Sequence, residues 1–118
     1  MPWGAFDSSG TLRVGTFDRS YDAANHKYGY SVLNGTPASY TSTQASTALS
    51  DPTTGDRWFA RTVDPDFPRA TAFLGDYSGI AIVPGTTSVA AYWTDMREQS
   101  CFAGVCGSGE DAYFAMLP

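Results

Sequence analysis

One pattern of strands and turns occurs twice in this chain, and this repeat constrains the fold more than any other feature of the sequence. Each copy has a short apolar segment, a turn, an alternating segment ending near an Asp and an Arg, a polar loop and a third apolar segment. Alternation of apolar and polar residues with period two is typical of β-strands. The repeat therefore predicts two similar antiparallel sheets. The matching segments are 3–7, 12–19 and 27–33 in the first copy and 78–82, 88–97 and 111–117 in the second.

The repeat predicts an all-β fold made of two four-stranded antiparallel blades of the propeller type, the second one incomplete. The Ser/Thr-rich residues 39–47 predict an outer fourth strand for the first copy, and the second copy ends before such a strand. We expect one domain over residues 1–118, with blades at about 3–48 and 74–118 and an irregular Pro-rich crossing at 49–73. Two blades cannot close a ring, so the blades are either part of a longer propeller or several copies assemble. A sandwich of two small sheets is the competing architecture.

Composition narrows the function classes. The 118 residues include 42% hydrophobic side chains, which is enough for a packed core. Seven Lys and Arg stand against twelve Asp and Glu, for a net charge of -5, and no basic run occurs. Nucleic acid and anionic membranes are therefore poor candidate partners. No apolar run reaches the length of a membrane span.

The two cysteines, Cys101 and Cys106, lie five residues apart in Cys-Phe-Ala-Gly-Val-Cys. Two sulfurs alone make a weak metal site, because structural zinc takes about four ligands. We expect a local disulfide, which would indicate an exported protein. Two free thiols in a loop are the alternative.

Three motifs resemble the late blades of bacterial sialidase-like propellers, exported proteins that carry bacterial neuraminidase repeats. They are Gly-Asp-Tyr-Ser-Gly-Ile-Ala at 75–81, Trp-Thr-Asp-Met-Arg at 93–97 and Gly-Glu-Asp-Ala-Tyr-Phe-Ala at 109–115. Phe-Asp-Arg at 17–19 is similar to an earlier blade's version of the second motif. The family's structural Asp-box occurs in decayed form at 31–40, with Asn34 in the place of its Asp, followed by Gly35. The resemblance implies a glycan partner and an extracellular location.

The same resemblance implies a tyrosine nucleophile with a carboxylate partner, an aspartic acid donor and three arginines that hold the substrate carboxylate. Tyr77 matches the nucleophile, and Asp76 precedes it. The acid donor and the first arginines would lie in blades outside this chain, so the catalytic set is incomplete and enzymatic activity stays open. A tyrosine at a blade edge that only caps backbone is the alternative role of Tyr77. The ligand-binding candidates are Arg69, Trp58, Trp93 and Arg97.

Other polar residues are better explained as scaffold. Asp95 with Arg97 and Asp18 with Arg19 stand at equivalent strand ends in both copies, and such recurrence favours a structural role, for example an ion pair between blades. Asn34 and Gly35 predict a turn between two strands. No cofactor is expected, although calcium is an open alternative at two loose groups of carboxylates. These groups are Asp64, Asp66 and Asp76, and Asp7, Asp18 and Asp22.

Three functions follow from different classes. The first is a glycan-directed fragment of a sialidase-like glycoside hydrolase. The second is a two-blade lectin-like module that oligomerises, three chains giving about six blades, a number typical of propellers. The third is a non-catalytic structural or interaction domain.

Overall fold

The computed structural model describes residues 2–36, 38–51, 78–102 and 105–118, and these ranges contain strands and no helix. The prediction of an all-β, antiparallel fold is confirmed. The strands are β1 (Trp3–Phe6), β2 (Leu12–Asp18), β3 (Gly29–Thr36), β4 (Ser39–Gln44), β5 (Gly79–Ile82), β6 (Val89–Asp95), β7 (Gln99–Phe102), β8 (Val105–Ser108) and β9 (Asp111–Leu117).

The first sheet is a four-stranded meander in the order β1-β2-β3-β4. Its first turn is held by Asp7, whose carboxylate accepts hydrogen bonds from the backbone N–H groups of Ser9 at 2.9 Å and Thr11 at 3.0 Å. The Arg13 Nε lies 2.8 Å from the second oxygen of Asp7. Gly10 occupies a φ of 81°, which glycine adopts without steric cost. A short polar turn thus fixes how β1 pairs with β2.

The predicted turn at Asn34 and Gly35 is wrong, because both residues lie inside β3. Their Cα partners in β4 are Thr41 and Tyr40, so the strand continues past both residues. The Asn34 side-chain oxygen accepts a hydrogen bond from Arg13 at 2.5 Å, which holds Asn34 against the neighbouring strand. Gly35 has a φ of 135°, and a Cβ there would lie 3.0 Å from the Tyr40 Cα. The glycine therefore permits a close approach of two strands instead of a reversal.

The second sheet has the order β5-β6-β9 within the described residues. The repeat predicted a polar loop between the segments at 88–97 and 111–117, and this is wrong, since β7 and β8 form an antiparallel hairpin there. Each of these strands has four residues, and Ala103-Gly104 joins them in the sequence.

The two sheets pack face to face, and the core lies between them. Buried residues of the first sheet, Tyr30 and Val32, meet Ile80, Ala91 and Trp93 of the second. The Tyr30 and Trp93 rings are stacked, with centroids 5.3 Å apart and planes 6° apart. β1 lies beside β5, so the first strands of the two sheets are neighbours.

The two sheets share one pairing register. When Asp18 of β2 is matched with Asp95 of β6, the pair Trp3↔Gly15 corresponds to Gly79↔Tyr92. In the same frame, the partner of Asp18 in the third strand is Gly29 and the partner of Asp95 is Asp111. The sequence match had aligned residue 27 with 111. The structural register moves this alignment by two residues, which keeps every side chain on the same face because strands have period two.

Candidate functional site

A buried carboxylate at the end of β6 is the centre of the largest polar cluster around the predicted site residues. Asp95 is 1% exposed. Its Oδ1 accepts hydrogen bonds from the Ser50 Oγ at 2.8 Å and from the Arg97 N and Nε at 2.9 Å each. Its Oδ2 accepts from the Trp93 Nε1 at 2.9 Å and from an Arg97 terminal nitrogen at 2.5 Å. Both oxygens are thus occupied by donors of the same chain.

Ser50 connects this cluster to the first sheet. Its backbone exchanges two hydrogen bonds with Tyr28, at 3.0 and 2.8 Å, just before β3. Its Oγ donates to Asp95 and accepts from the Met96 N–H at 2.9 Å. The segment that follows β4 is therefore tied to the end of β6 through one hydroxyl group.

Arg97 makes a second connection between the sheets. Besides Asp95, its guanidinium donates to the Thr47 Oγ1 at 2.8 Å, on the segment after β4. The guanidinium carbon lies 4.2 Å from the centroid of the Tyr113 ring, the geometry of a cation–π contact. The ion pair itself joins two residues at one strand end, while Thr47 and Ser50 provide the contacts to the other sheet.

The electrostatics keep this pair charged. Burial by itself would raise the pKa of Asp95, but hydrogen bonds from Arg97, Trp93 and Ser50 outweigh burial and hold that pKa below its ordinary value. The hydrogen bond to Asp95 raises the pKa of Arg97. A carboxylate that is ionised and fully hydrogen-bonded has no proton to donate at neutral pH and no free oxygen to take one. The arrangement is that of a structural clamp between the sheets.

The sequence twin of this cluster has different contacts. The Asp18 Oδ1 accepts from the Ser20 N–H at 2.8 Å, and its Oδ2 accepts from the Ser31 Oγ at 3.1 Å. Arg19 donates to the backbone carbonyl oxygen of Asn25. Within the described ranges the ion pairs are Arg13–Asp7 and Arg97–Asp95, so Asp18 and Arg19 are not joined as Asp95 and Arg97 are.

The predicted ligand-binding and catalytic residues are dispersed. Trp93 is 2% exposed, and its ring is covered by Tyr30 and by Tyr113, whose centroid is 6.2 Å away. The indole is therefore part of the core and is not presented to a sugar. Four predicted residues lie outside the described residues: Asp76, Tyr77, Arg69 and Trp58.

The carboxylates of the first calcium group are engaged by donors of the chain. Asp22 accepts from the backbone N–H groups of His26 and Lys27, at 2.7 Å each, and Asp7 and Asp18 have the contacts given above. Among the described residues, no three His, Cys, Asp or Glu side chains are placed to share a metal ion. Asp64, Asp66 and Asp76 lie outside the described residues, so calcium there stays a prediction.

The hairpin of β7 and β8 brings the two cysteine positions opposite each other. Cys101 and Cys106 are direct Cα partners in its register. Opposed residues of an antiparallel pair lie about 4.5–5.5 Å apart at Cα, a separation that a disulfide can span. The disulfide between them stays a prediction.

Sequence reasoning missed the clamp partners Ser50 and Thr47. Both belong to common residue types and lie close to the predicted irregular crossing. Ser50 is 45 residues from Asp95 in the chain, and Thr47 is 50 residues from Arg97. Short-range pattern carries no signal for such contacts.

Comparisons with known proteins add no relative: no family model, no curated protein and no solved structure matches this chain. The described ranges also contain no helix with the length and apolar character needed to cross a membrane.

Proposed function

We propose that this chain provides two consecutive blades of a sialidase-like, propeller-type protein that is exported and directed at glycans. One observation carries the architectural part: the two antiparallel sheets pack face to face around one core, with β1 beside β5. In a propeller, successive sheets stack around a central axis and their first strands are neighbours at that axis.

The glycan part is supported by the resemblance of residues 75–81, 93–97 and 109–115 to sialidase-like blades. Asp76 and Tyr77 precede Ser78 and β5, the first strand of the second sheet. In this proposal Tyr77 contacts the sugar, as a nucleophile where other blades of a propeller complete the catalytic set, and Asp76 orients it. A tyrosine nucleophile is a known exception among glycosidases. Asp95, Arg97 and Trp93 act as scaffold.

Binding and turnover are measured separately to test this proposal. A glycan array and a panel of fluorogenic sialosides and related glycosides are the probes. We expect glycan binding by the wild-type chain, a loss of about tenfold in affinity for Tyr77→Phe, and no change for Tyr40→Phe. Tyr40 is a suitable control because it is an exposed tyrosine on β4. An array and a hydrolysis panel that both stay at background would contradict the proposal.

A non-catalytic interaction domain is the second candidate. It is favoured because the polar groups of Asp95 and Arg97 are already bonded to other residues of the chain. Every oxygen of Asp95 is occupied by the chain's own donors, and Arg97 is shared between Asp95, Thr47 and Tyr113. The described part of the chain thus uses its most prominent polar residues for cohesion. Unchanged binding of every partner by Tyr77→Phe would favour this second function.

A further inference from the structure

Each sheet has one face in the core and one apolar face that the described chain leaves uncovered. The outer face of the first sheet carries Phe6, which is 69% exposed, and a cavity of about 210 Å³ on this face is lined by Leu12, Val14 and Leu33. The outer face of the second sheet carries Phe114, 63% exposed, and Tyr92, 48% exposed. Asp18, at the end of β2, shares the first face with Leu12 and Val14, and the positions that form the apolar patch on each face are uncharged. They are Gly4, Phe6, Leu12, Val14 and Leu33 on the first face, and Ala81, Ala90, Tyr92, Phe114 and Met116 on the second.

The outer face of the first sheet is the repeat counterpart of the buried face of the second. In the shared register Leu12 corresponds to Val89 and Val14 to Ala91, and both of these counterparts are 0% exposed. Phe6 corresponds to Ile82, which packs against the core. A surface of this type is therefore already buried once inside the chain.

The outer face of the second sheet is likewise the counterpart of the buried face of the first. Phe114 corresponds to Val32, which is 1% exposed in the core cluster. Ala81 corresponds to Ala5, which packs against that cluster. The two uncovered faces are thus the two halves of an interface that the chain builds internally.

At one pair of equivalent positions, the large and the small residue of the internal contact change sides on the two outer faces. Inside the chain, Gly15 of the first sheet leaves room for Ile80, whose Cγ2 lies only 2.6 Å from where a glycine Cβ would be. The counterpart of Gly15 is the large Tyr92, and the counterpart of Ile80 is Gly4. In the internal contact the first sheet supplies the small residue, Gly15, and the second sheet supplies the large one, Ile80. An outer-face contact would again pair a small residue, Gly4 of the first sheet, with a large one, Tyr92 of the second. Complementary size at equivalent positions is what a packed contact requires.

From this match we infer that the outer face of the second sheet binds the outer face of the first sheet on a second copy of this chain, head to tail. The inference rests on the blade-pair architecture proposed above, and it specifies the partner and both surfaces. Because the two faces differ, the contact is heterologous, and copies added in this way close into a ring when the rotation allows it. Phe114 and Tyr92 of one copy would cover Leu12, Val14 and Gly4 of the next.

One such contact is small. Three strands spaced about 4.8 Å apart and about 23 Å long give a face of roughly 300 Å² before side-chain relief is counted. Stable interfaces bury about 800 Å² of accessible surface per partner, so a single contact lies at the weak end. Ring closure adds contacts without adding copies, which favours closed species over open dimers.

The test is the solution mass of the full chain by sedimentation equilibrium over a concentration series, without any glycan. The wild-type chain should exceed its monomer mass of 12.6 kDa at high concentration. Phe114→Asp and Phe6→Asp should each be monomeric, since each places a charge on one face. Thr41→Asp is the control, because Thr41 is exposed on β4 and points away from the outer face. It should assemble like the wild type.

Mixing the two monomeric variants gives the decisive result. Phe114→Asp retains the intact first-sheet face and Phe6→Asp the intact second-sheet face, so a 1:1 mixture should form a heterodimer and nothing larger. A wild-type chain that stays monomeric overturns the inference, and this measurement needs no variant. A mixture that forms species larger than a dimer, or a single variant that still dimerises, also overturns it. Glycan binding is scored in separate assays, so a failure of the proposed function leaves this result unchanged.

Discussion

Replacing Asp95 by Asn tests whether the clamp joins the two sheets. The substitution keeps the shape and one acceptor oxygen but removes the charge that faces Arg97 and Trp93. Hydrogen bonds to charged groups contribute about 1.5–3 kcal/mol each. Arg97, whose side chain is 12% exposed, would lose its ion-pair partner. Breaking a buried pair costs about 3–5 kcal/mol, and we expect a loss of that size in the free energy of unfolding.

The assay is urea unfolding at neutral pH, followed by tryptophan fluorescence and near-ultraviolet circular dichroism. Asp18→Asn is the matched control, since Asp18 is the sequence counterpart, is partly exposed, and is bonded to Ser20 and Ser31 without an arginine partner. It should cost about 1 kcal/mol or less. We conclude that the stability comes from the buried cluster and not from the repeated Asp itself. Equal losses in the free energy of unfolding for Asp95→Asn and Asp18→Asn would refute this conclusion.

The same variant predicts a pH dependence. The pKa of Asp95 is lower in the folded chain than in the unfolded chain, where a carboxyl group titrates near 4. Its contribution is therefore complete above about pH 4 and is lost as the pH falls through the lower folded-state pKa. The stability difference between wild type and Asp95→Asn should narrow below about pH 4. A difference that stays constant into acid would contradict the charged state assigned to Asp95.

Two further predictions concern packing and the cysteines. Gly15→Ala should destabilise the fold by about 1–3 kcal/mol in the same urea assay, because the added Cβ would collide with the Tyr30 hydroxyl and the Ile80 side chain, and a loss below about 0.5 kcal/mol would contradict the tight sheet contact. Alkylation of the unfolded, unreduced chain followed by mass spectrometry should leave Cys101 and Cys106 unmodified if they form the predicted disulfide, and two added alkyl groups would show free thiols.

Strand positions were largely predictable from this sequence, because period-two patterns and short turns are local signals. β9 matches its predicted segment at 111–117, and β1, β2 and β6 lie within the segments predicted at 3–7, 12–19 and 88–97. The prediction failed at Asn34 and Gly35, because this dipeptide, which is typical of turns, lies inside β3. There Arg13 on the adjacent strand supplies a partner for the Asn34 side chain. Tertiary contacts of this kind override local turn chemistry.

The clamp was only half predictable. The recurrence of Asp near the strand ends suggested a structural role for Asp95, but it gave Asp18 the same role with Arg19. Sequence equivalence fixes backbone position, whereas the hydrogen-bond partners come from distant segments such as Ser50. The register of the third strand also needed the structure, because a shift of two residues leaves the hydrophobic pattern unchanged.

The most direct test of the two-sheet architecture is the contact between β2 and β5, measured in solution by nuclear Overhauser effects on a chain with labelled isoleucine methyl groups. The Ile80 Cγ2 methyl should show strong cross-peaks to the Gly15 α-protons and to the Tyr30 ring, because this methyl sits where a Gly15 side chain would be. Cross-peaks from Ile80 only to residues of its own sheet would contradict the account, since the two sheets would then not pack through these faces.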